Sequence, residues 1–399
     1  MRTHRHPTST QPSSSPPTPP SGTGVPPVSS PPSTPHTLRA LFTATAACAL
    51  TLAAGAQDIG PPADIAAPQT ERSSAENTIL ENEMTPALDA AISRGLSWLA
   101  SSQNPDGSFG SGRYPRNVAI TSLACIAFMS DGHLPGRGEY GAAVERGLEF
   151  VLNSMTETGL LAADTSHGPM YGHGFGTLFL GEIYGMTAGG PDTAQSARLR
   201  DALIKACRVI IQSQNDEGGW RYNPVPYDAD VSVTICQIMA LRSARNAGIE
   251  IPRETIDNAV EYVRRCQNTD GGFRYQLTGG GRSAPPRSAA GVASLFYAGI
   301  YEDDAIDTGI EYLIRTSLPS PERRSMSHYF YGHYYAVQTM YLAGGEHWAQ
   351  WWPAIREELI ETQEPSGAWE DRQAGPAYGT AMALIVLQMP KRYLPIFQK

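Results

Sequence analysis

The tripeptide Tyr-Gly-His occurs twice, as Tyr171-Gly172-His173 and as Tyr331-Gly332-His333. Imidazole is the side chain suited to moving a proton near neutral pH, and an adjacent tyrosine supplies a hydroxyl and an aromatic face. A second stretch, Asp228-Ala229-Asp230, offers two carboxylates, one of which becomes a general acid if its surroundings raise its pKa. Arg287 adds a cation able to neutralise an anionic group such as a uronate. Tyr334 and Tyr335 beside the second histidine, and Tyr378 further on, add aromatic surface for a ligand. Against these roles stand plainer ones. The histidines can hydrogen-bond neighbouring helix ends, and the two aspartates can cap a helix N-terminus. No spacing of Cys, His or Asp forms a metal site, so neither metal nor cofactor is expected.

What places these residues is an internal repeat. "QNPDGSF" at 103–109 returns as "QNDEGGW" at 214–220, "QNTDGGF" at 267–273 and "QEPSGAW" at 363–369. Each copy keeps Gln at position one (Gln103, Gln214, Gln267, Gln363), glycine at five and an aromatic at seven (Phe109, Trp220, Phe273, Trp369). "MTETGLL" at 155–161 keeps the glycine and ends in Leu161, and "RTSLPSP" at 315–321 is an eroded copy halfway along the longest interval. That makes six units.

Each motif follows an amphipathic helix and precedes one that is apolar all round. Leu88, Ile92, Leu96 and Leu99 form one helical stripe before the first copy, whereas "VAITSLACIAFM" after it has no polar face. Six half-exposed helices alternating with six buried ones predict two concentric rings, an all-α (α/α)6 toroid. The inner helices then run the same way, and their starts converge on one mouth. Residues just after each motif line that mouth in this reading, Tyr114, Asn117, Tyr171 and Tyr331 among them. Units two and five stand opposite, so their Tyr-Gly-His segments face each other across the opening. "EHWAQWWPAIREEL" reads as the start of the last outer helix, with Pro353 in its first turn and its tryptophans at the junction.

The repeated Gln…Gly-x-aromatic motif resembles the QW motif of squalene and terpene cyclases and the repeats of protein-prenyltransferase β subunits, over roughly residues 86–399. The resemblance implies that the glutamine ties helix ends together and the aromatic packs between helices, so both are structural. It also implies a role for Asp230. Squalene-hopene-type cyclases carry an Asp-x-Asp-Asp segment whose middle acid protonates the substrate, and Asp230 takes that position, with Asp228 before it. Val231 stands where that family has its third acid. Prenyltransferases hold zinc with Asp, Cys and His; His333 could stand for the histidine, but "PPRSAAGVASLFY" lacks an Asp-x-Cys.

Composition bounds the rest. The first 39 residues hold 11 prolines among Ser and Thr, and "RALFTATAACALTLAAGAQD" then gives a basic flank, an apolar run and Ala54-Gly55-Ala56. Residues 1–56 read as a disordered front end plus a secretory signal cleaved near Ala56, and 57–85 as a polar flexible segment. The expected location is exported, periplasmic or secreted. The leader carries three Arg and no acid, so its removal takes the formal charge from −9 to −12. Such a balance argues against nucleic acid as a partner. Cys125, Cys207, Cys236 and Cys266 sit in apolar helical stretches without paired spacing and read as buried free thiols. Three functions follow as expectations: an isoprenoid-handling enzyme or degenerate relative with Asp230 as acid; a carbohydrate-active or carbohydrate-binding toroid using the opposed Tyr-His pairs; and a non-catalytic scaffold for a peptide or protein.

Overall fold

A computed structural model describes residues 83–163, 168–187 and 194–398. The leader expected over 1–56, and 57–82 of the polar segment expected after it, lie outside the described residues. Twelve α-helices occur among the described residues, in outer–inner pairs. Unit one has α1 (Pro86–Ser101) and α2 (Val118–Met129); unit two has α3 (Gly141–Asn153) and α4 (Met170–Thr187). Unit three has α5 (Ala194–Gln212) and α6 (Val231–Asn246), and unit four has α7 (Arg253–Arg265) and α8 (Pro285–Tyr297). Unit five has α9 (Asp304–Ser317) and α10 (Tyr329–Ala343), and unit six has α11 (Gly345–Thr362) and α12 (Pro376–Leu387).

The inner helices pack in the order α2, α4, α6, α8, α10, α12, and α12 returns onto α2. The ring therefore closes, as the apolar character of its last helix predicts. Eleven of the twelve residues of α2 are buried, whereas α1 buries the stripe of Leu88, Ile92, Leu96 and Leu99. A helix apolar on all sides is stable only where neighbours surround it, which is the inner ring. No helix among the described residues is long and apolar enough to cross a membrane.

The motifs lock one unit to the next. Gln103 Nε2 donates to Gly107 O at 3.0 Å within its own loop and to Ala143 O at 2.9 Å in α3. Gln214 and Gln267 repeat the arrangement onto Thr255 O and Ala305 O. Gln363 reaches Ala91 O of α1 at 2.9 Å, so the same bond fastens unit six to unit one. Each motif glycine has positive φ and lies against the next outer helix; a Cβ on Gly218 (φ +96) would meet Asn258 O at 2.2 Å. Only glycine tolerates both conditions. Phe109, Trp220, Phe273 and Trp369 are buried between the helices, and the two indoles donate to Ile210 O and Leu359 O.

One local reading is corrected. Pro353 lies inside α11, not in its first turn, because that helix already begins at Gly345. Trp348 stacks on Trp352 with ring centroids 5.1 Å apart, and Trp351 and Trp352 are buried at the junction.

Candidate functional site: a bowl at the inner-helix N-termini

The starts of all six inner helices surround one open cavity of about 1230 Å³. Its walls include Val118, Ile120, Leu161, Phe175, Tyr331 and Tyr378. Tyr334 packs edge-on against Phe175 of α4 at 6.1 Å, and Tyr335 places its hydroxyl 3.3 Å from Cys236 Sγ of α6. Both tyrosines are fully buried. They form part of the floor's support and do not line the bowl, which corrects their expected role in ligand contact.

Tyr171, Arg287, Tyr331 and Tyr378 do line it, as do Tyr114 and Asn117. The Tyr331 hydroxyl crosses the ring to donate to Ser232 O at 2.9 Å. Burial pushes the hydroxyls of Tyr171, Tyr331 and Tyr378 well above the usual phenol range, so none is a base near neutral pH.

The two histidines are not at the mouth. They occupy the wall between inner and outer helices, two residues and about half a turn past each tyrosine. His173 Nδ1 accepts from Leu161 N at 3.0 Å, and its Nε2 bonds Ala206 O at 3.1 Å. Equivalent bonds explain the placement. The backbone N–H of each motif's last residue goes to a side chain early in the following inner helix: Phe109 to Thr121 Oγ1, Trp220 to Thr234 Oγ1, Phe273 to Ser288 Oγ, Trp369 to Thr380 Oγ1. In unit two that acceptor is His173. In unit five it would be His333, but the residue twelve positions upstream, as Phe109 is to Thr121 and Leu161 to His173, is Pro321, which has no N–H. Both ring nitrogens of His333 are accordingly buried without a hydrogen bond, between Tyr329 and Trp351. Burial lowers the pKa of His173 to about 4 and of His333 to about 3, so both are neutral at physiological pH. The expectation of opposed catalytic Tyr-His pairs fails on this geometry, although α4 and α10 do lie three steps apart in the ring.

Asp230 caps α6, its Oδ1 accepting from Val233 N at 2.9 Å. Its Oδ2 lies 3.7 Å from Arg221 Nε and makes no hydrogen bond of good geometry. Burial pushes Asp230 up to about 6, against the pull of the Val233 N–H, the Tyr275 hydroxyl and Arg221. Asp228 is half-exposed and bonds the Arg221 guanidinium. Neither aspartate lines the bowl. Between them and the bowl stand Tyr222 and Tyr275, hydroxyl to hydroxyl, with Arg221 over both rings at 5.1 and 5.8 Å from the centroids.

Sequence reasoning missed several lining residues: Tyr222 and Tyr275, and around the rim Arg113, His328 and Arg372. A signal existed for the first two. They sit two positions after Trp220 and Phe273, and the residues at the same offset in units two and six, Ala163 and Asp371, also line the bowl. His328 has left-handed backbone (φ 55), which no local pattern announces. Among the described residues no group of three His, Cys, Asp or Glu is placed to hold a metal ion, and the four cysteines are free and buried.

A closed double ring of helix pairs, clasped by Gln…Gly-x-aromatic loops around a bowl, defines the fold as an all-α (α/α)6 toroid. Residues 193–317 match the family model of the prenyltransferase alpha-alpha toroid domain. Among solved structures, the chain is similar to the type II terpene cyclase MstE from Scytonema, at 15% identity and a TM-score of 0.53, over 78% of this chain and all of that one. It is also similar to an inactive variant of an α-1,6-mannanase of Salegentibacter solved with α-1,6-mannotriose, at 8% identity and a TM-score of 0.58, over 75% and 98% of the two chains. A third likeness is to an alpha-amylase from Clostridium perfringens, at 10% identity and a TM-score of 0.51, over 75% and 97%. At these identities the likeness is one of fold. No curated protein sequence matches the chain.

Proposed function

We propose that this protein is a ligand-binding relative of the terpenoid cyclases, which takes an isoprenoid or comparable apolar body into the bowl and does not cyclise it. The observation that carries the reading is the layering of the bowl. Leu161, Val118, Ile120 and Phe175 are buried at its base, whereas Arg113, His328 and Arg372 are exposed at its rim. Apolar pockets with a few peripheral polar groups are what hydrocarbon ligands with a polar end require. Asp230 argues against cyclisation. A proton donor must touch the alkene, and this carboxyl is screened by Tyr222 and Tyr275 and paired with Arg221.

A carbohydrate ligand is the second reading, favoured by the open mouth and its tyrosines, since sugar faces stack on such rings. Mass spectrometry of small molecules that copurify with the protein separates the two. A bound polyprene supports the first and an oligosaccharide the second. Turnover of a polyprene abolished by Asp230→Asn would overturn the non-cyclising role. Export remains part of the proposal, on the strength of the apolar run ending in Ala54-Gly55-Ala56. N-terminal sequencing of the protein from the periplasm or medium tests it; a mature chain starting near residue 57 is expected, and an intact leader on intracellular protein refutes it.

A further inference from the structure

We infer that the hydroxyl pair of Tyr222 and Tyr275 is a polar contact point of the bowl that accepts a hydrogen bond from a ligand hydroxyl, so that the ligand is an alcohol. The inference names the ligand class for the site just proposed and rests on the bowl being the binding site. Both tyrosines line the bowl, and their hydroxyls are bonded to each other. Their backbones are pinned to the starts of two inner helices. Tyr222 O accepts from Met170 N of α4 and Tyr275 O from Val231 N of α6, each at 3.0 Å. Arg221, itself bonded to Asp228, lies over both rings and holds them side by side.

The direction of the protons follows from what stands behind the pair. Two bonded hydroxyls share one proton, so the other proton must go to a third group. Behind them is Asp230, fully buried, whose Oδ2 has no hydrogen bond of good geometry and lies 3.7 Å from Arg221 Nε. A buried carboxylate oxygen draws any donor within reach. The Tyr275 hydroxyl acts on it in that way, as one of the groups that pull the carboxyl down against the burial that raises it to about 6. Burial, and after it the Asp230 charge, push the Tyr275 phenol above its usual range, so it keeps its proton and donates. Tyr275 then accepts from Tyr222. The Tyr222 oxygen is left to accept, with a carboxylate at the end of the chain to strengthen it. Asp230 and Tyr275 act through Tyr222 and are positioning residues.

The test is direct binding to the full chain at pH 8, where Asp230 is ionised, of a polyprenol, the matching aldehyde, the matching hydrocarbon and maltotriose. The polyprenol is expected to bind about tenfold more tightly than the aldehyde, whose oxygen brings no proton to the Tyr222 acceptor. Asp230→Asn keeps the cap on Val233 N but offers Tyr275 an amide donor, which reverses the order of the protons. The ratio of alcohol to aldehyde affinity should then fall to about one. Tyr222→Phe should weaken the polyprenol about tenfold, to the level of the hydrocarbon. Alcohol and aldehyde share one apolar body, so their ratio does not respond to a general loosening of the wall. Equal binding of the two by the parent, or an unchanged ratio in both variants, overturns the hydroxyl inference while leaving the apolar bowl standing. Binding of maltotriose alone, weakened by Tyr222→Phe, keeps the hydroxyl inference and overturns the isoprenoid reading. If none of the four binds, both fall.

Discussion

His333→Leu should stabilise this protein, whereas the matching substitution His173→Leu should damage it. The two residues occupy equivalent positions in opposite units, are neutral and buried, and differ only in partners. Removing the His173 imidazole strands the buried Leu161 N–H, while the Ala206 carbonyl, inside α5, keeps its helical donor. An unmatched buried N–H costs about 1–3 kcal/mol, which is the expected loss. At His333 there is nothing to strand, because both ring nitrogens already lack partners. Leucine has a similar volume, keeps the contacts with Tyr329 and Trp351, and removes two desolvated polar atoms. The expected gain is about 1–2 kcal/mol. Thermal unfolding reads both changes, at about 2 °C per kcal/mol for a domain of this size. Ligand binding should survive His333→Leu, since the residue lies outside the bowl. Destabilisation of His333→Leu comparable to that of His173→Leu would refute the reasoning and point to an ordered water satisfying the ring. Loss of ligand binding without loss of stability would return the histidine to the site.

Further outcomes follow from the same geometry. Gly218→Ala forces a side chain into positive φ and against Asn258 O, so it should cost at least about 2 kcal/mol by denaturant unfolding; Gln363→Ala removes the bond to Ala91 O that fastens unit six to unit one and the bond to Gly367 O within its own loop, and should cost about 1–3 kcal/mol. Buried Glu182 accepts from Ser243 Oγ and Ile396 N and has its pKa raised by burial to about 7. The folded state therefore holds its proton more tightly than the unfolded one, and this group's contribution is full below about pH 4.5 and lost as pH rises towards 7. Glu182→Gln should match the parent at pH 4 and exceed it in stability at pH 8; a constant difference across that range would show that the carboxyl does not titrate there. The histidines have the opposite sign. Their lowered pKa values mean that stability is full above about 6.5 and falls as pH drops towards 4, a slope His173→Leu should flatten in urea titrations. Finally, Cys125, Cys207 and Cys236 are buried with thiol pKa values raised by burial, so a thiol reagent should label none of them until the protein unfolds.

The repeat made the fold legible. Gln, Gly and an aromatic at fixed spacing, each between a one-faced and an all-apolar helix, are local patterns, and local patterns survive translation into one dimension. The number of units, the alternation of rings and the closure of unit six onto unit one all follow from them. The cavity's location was legible too, because helix direction alone brings the inner N-termini to one end. The sequence also singled out Tyr171, Arg287, Tyr331 and Tyr378, which do line the bowl.

What it could not decide was which way a side chain on an inner helix turns. One residue step rotates a helix by about 100°. Tyr331 therefore faces the axis, while His333 two positions later faces the outer ring and Tyr335 four positions later lies a turn deeper. The same ambiguity made Asp230 look like a mouth acid, when Tyr222 and Tyr275 from two other loops stand in front of it. The gathering of Arg113, Arg287 and Arg372 is likewise invisible in one dimension, since they belong to units one, four and six and share no motif. Periodicity along the chain set the ring. Only closure, which fixes the rotation of every helix against two neighbours at once, decided which residues face the ligand and which face the wall.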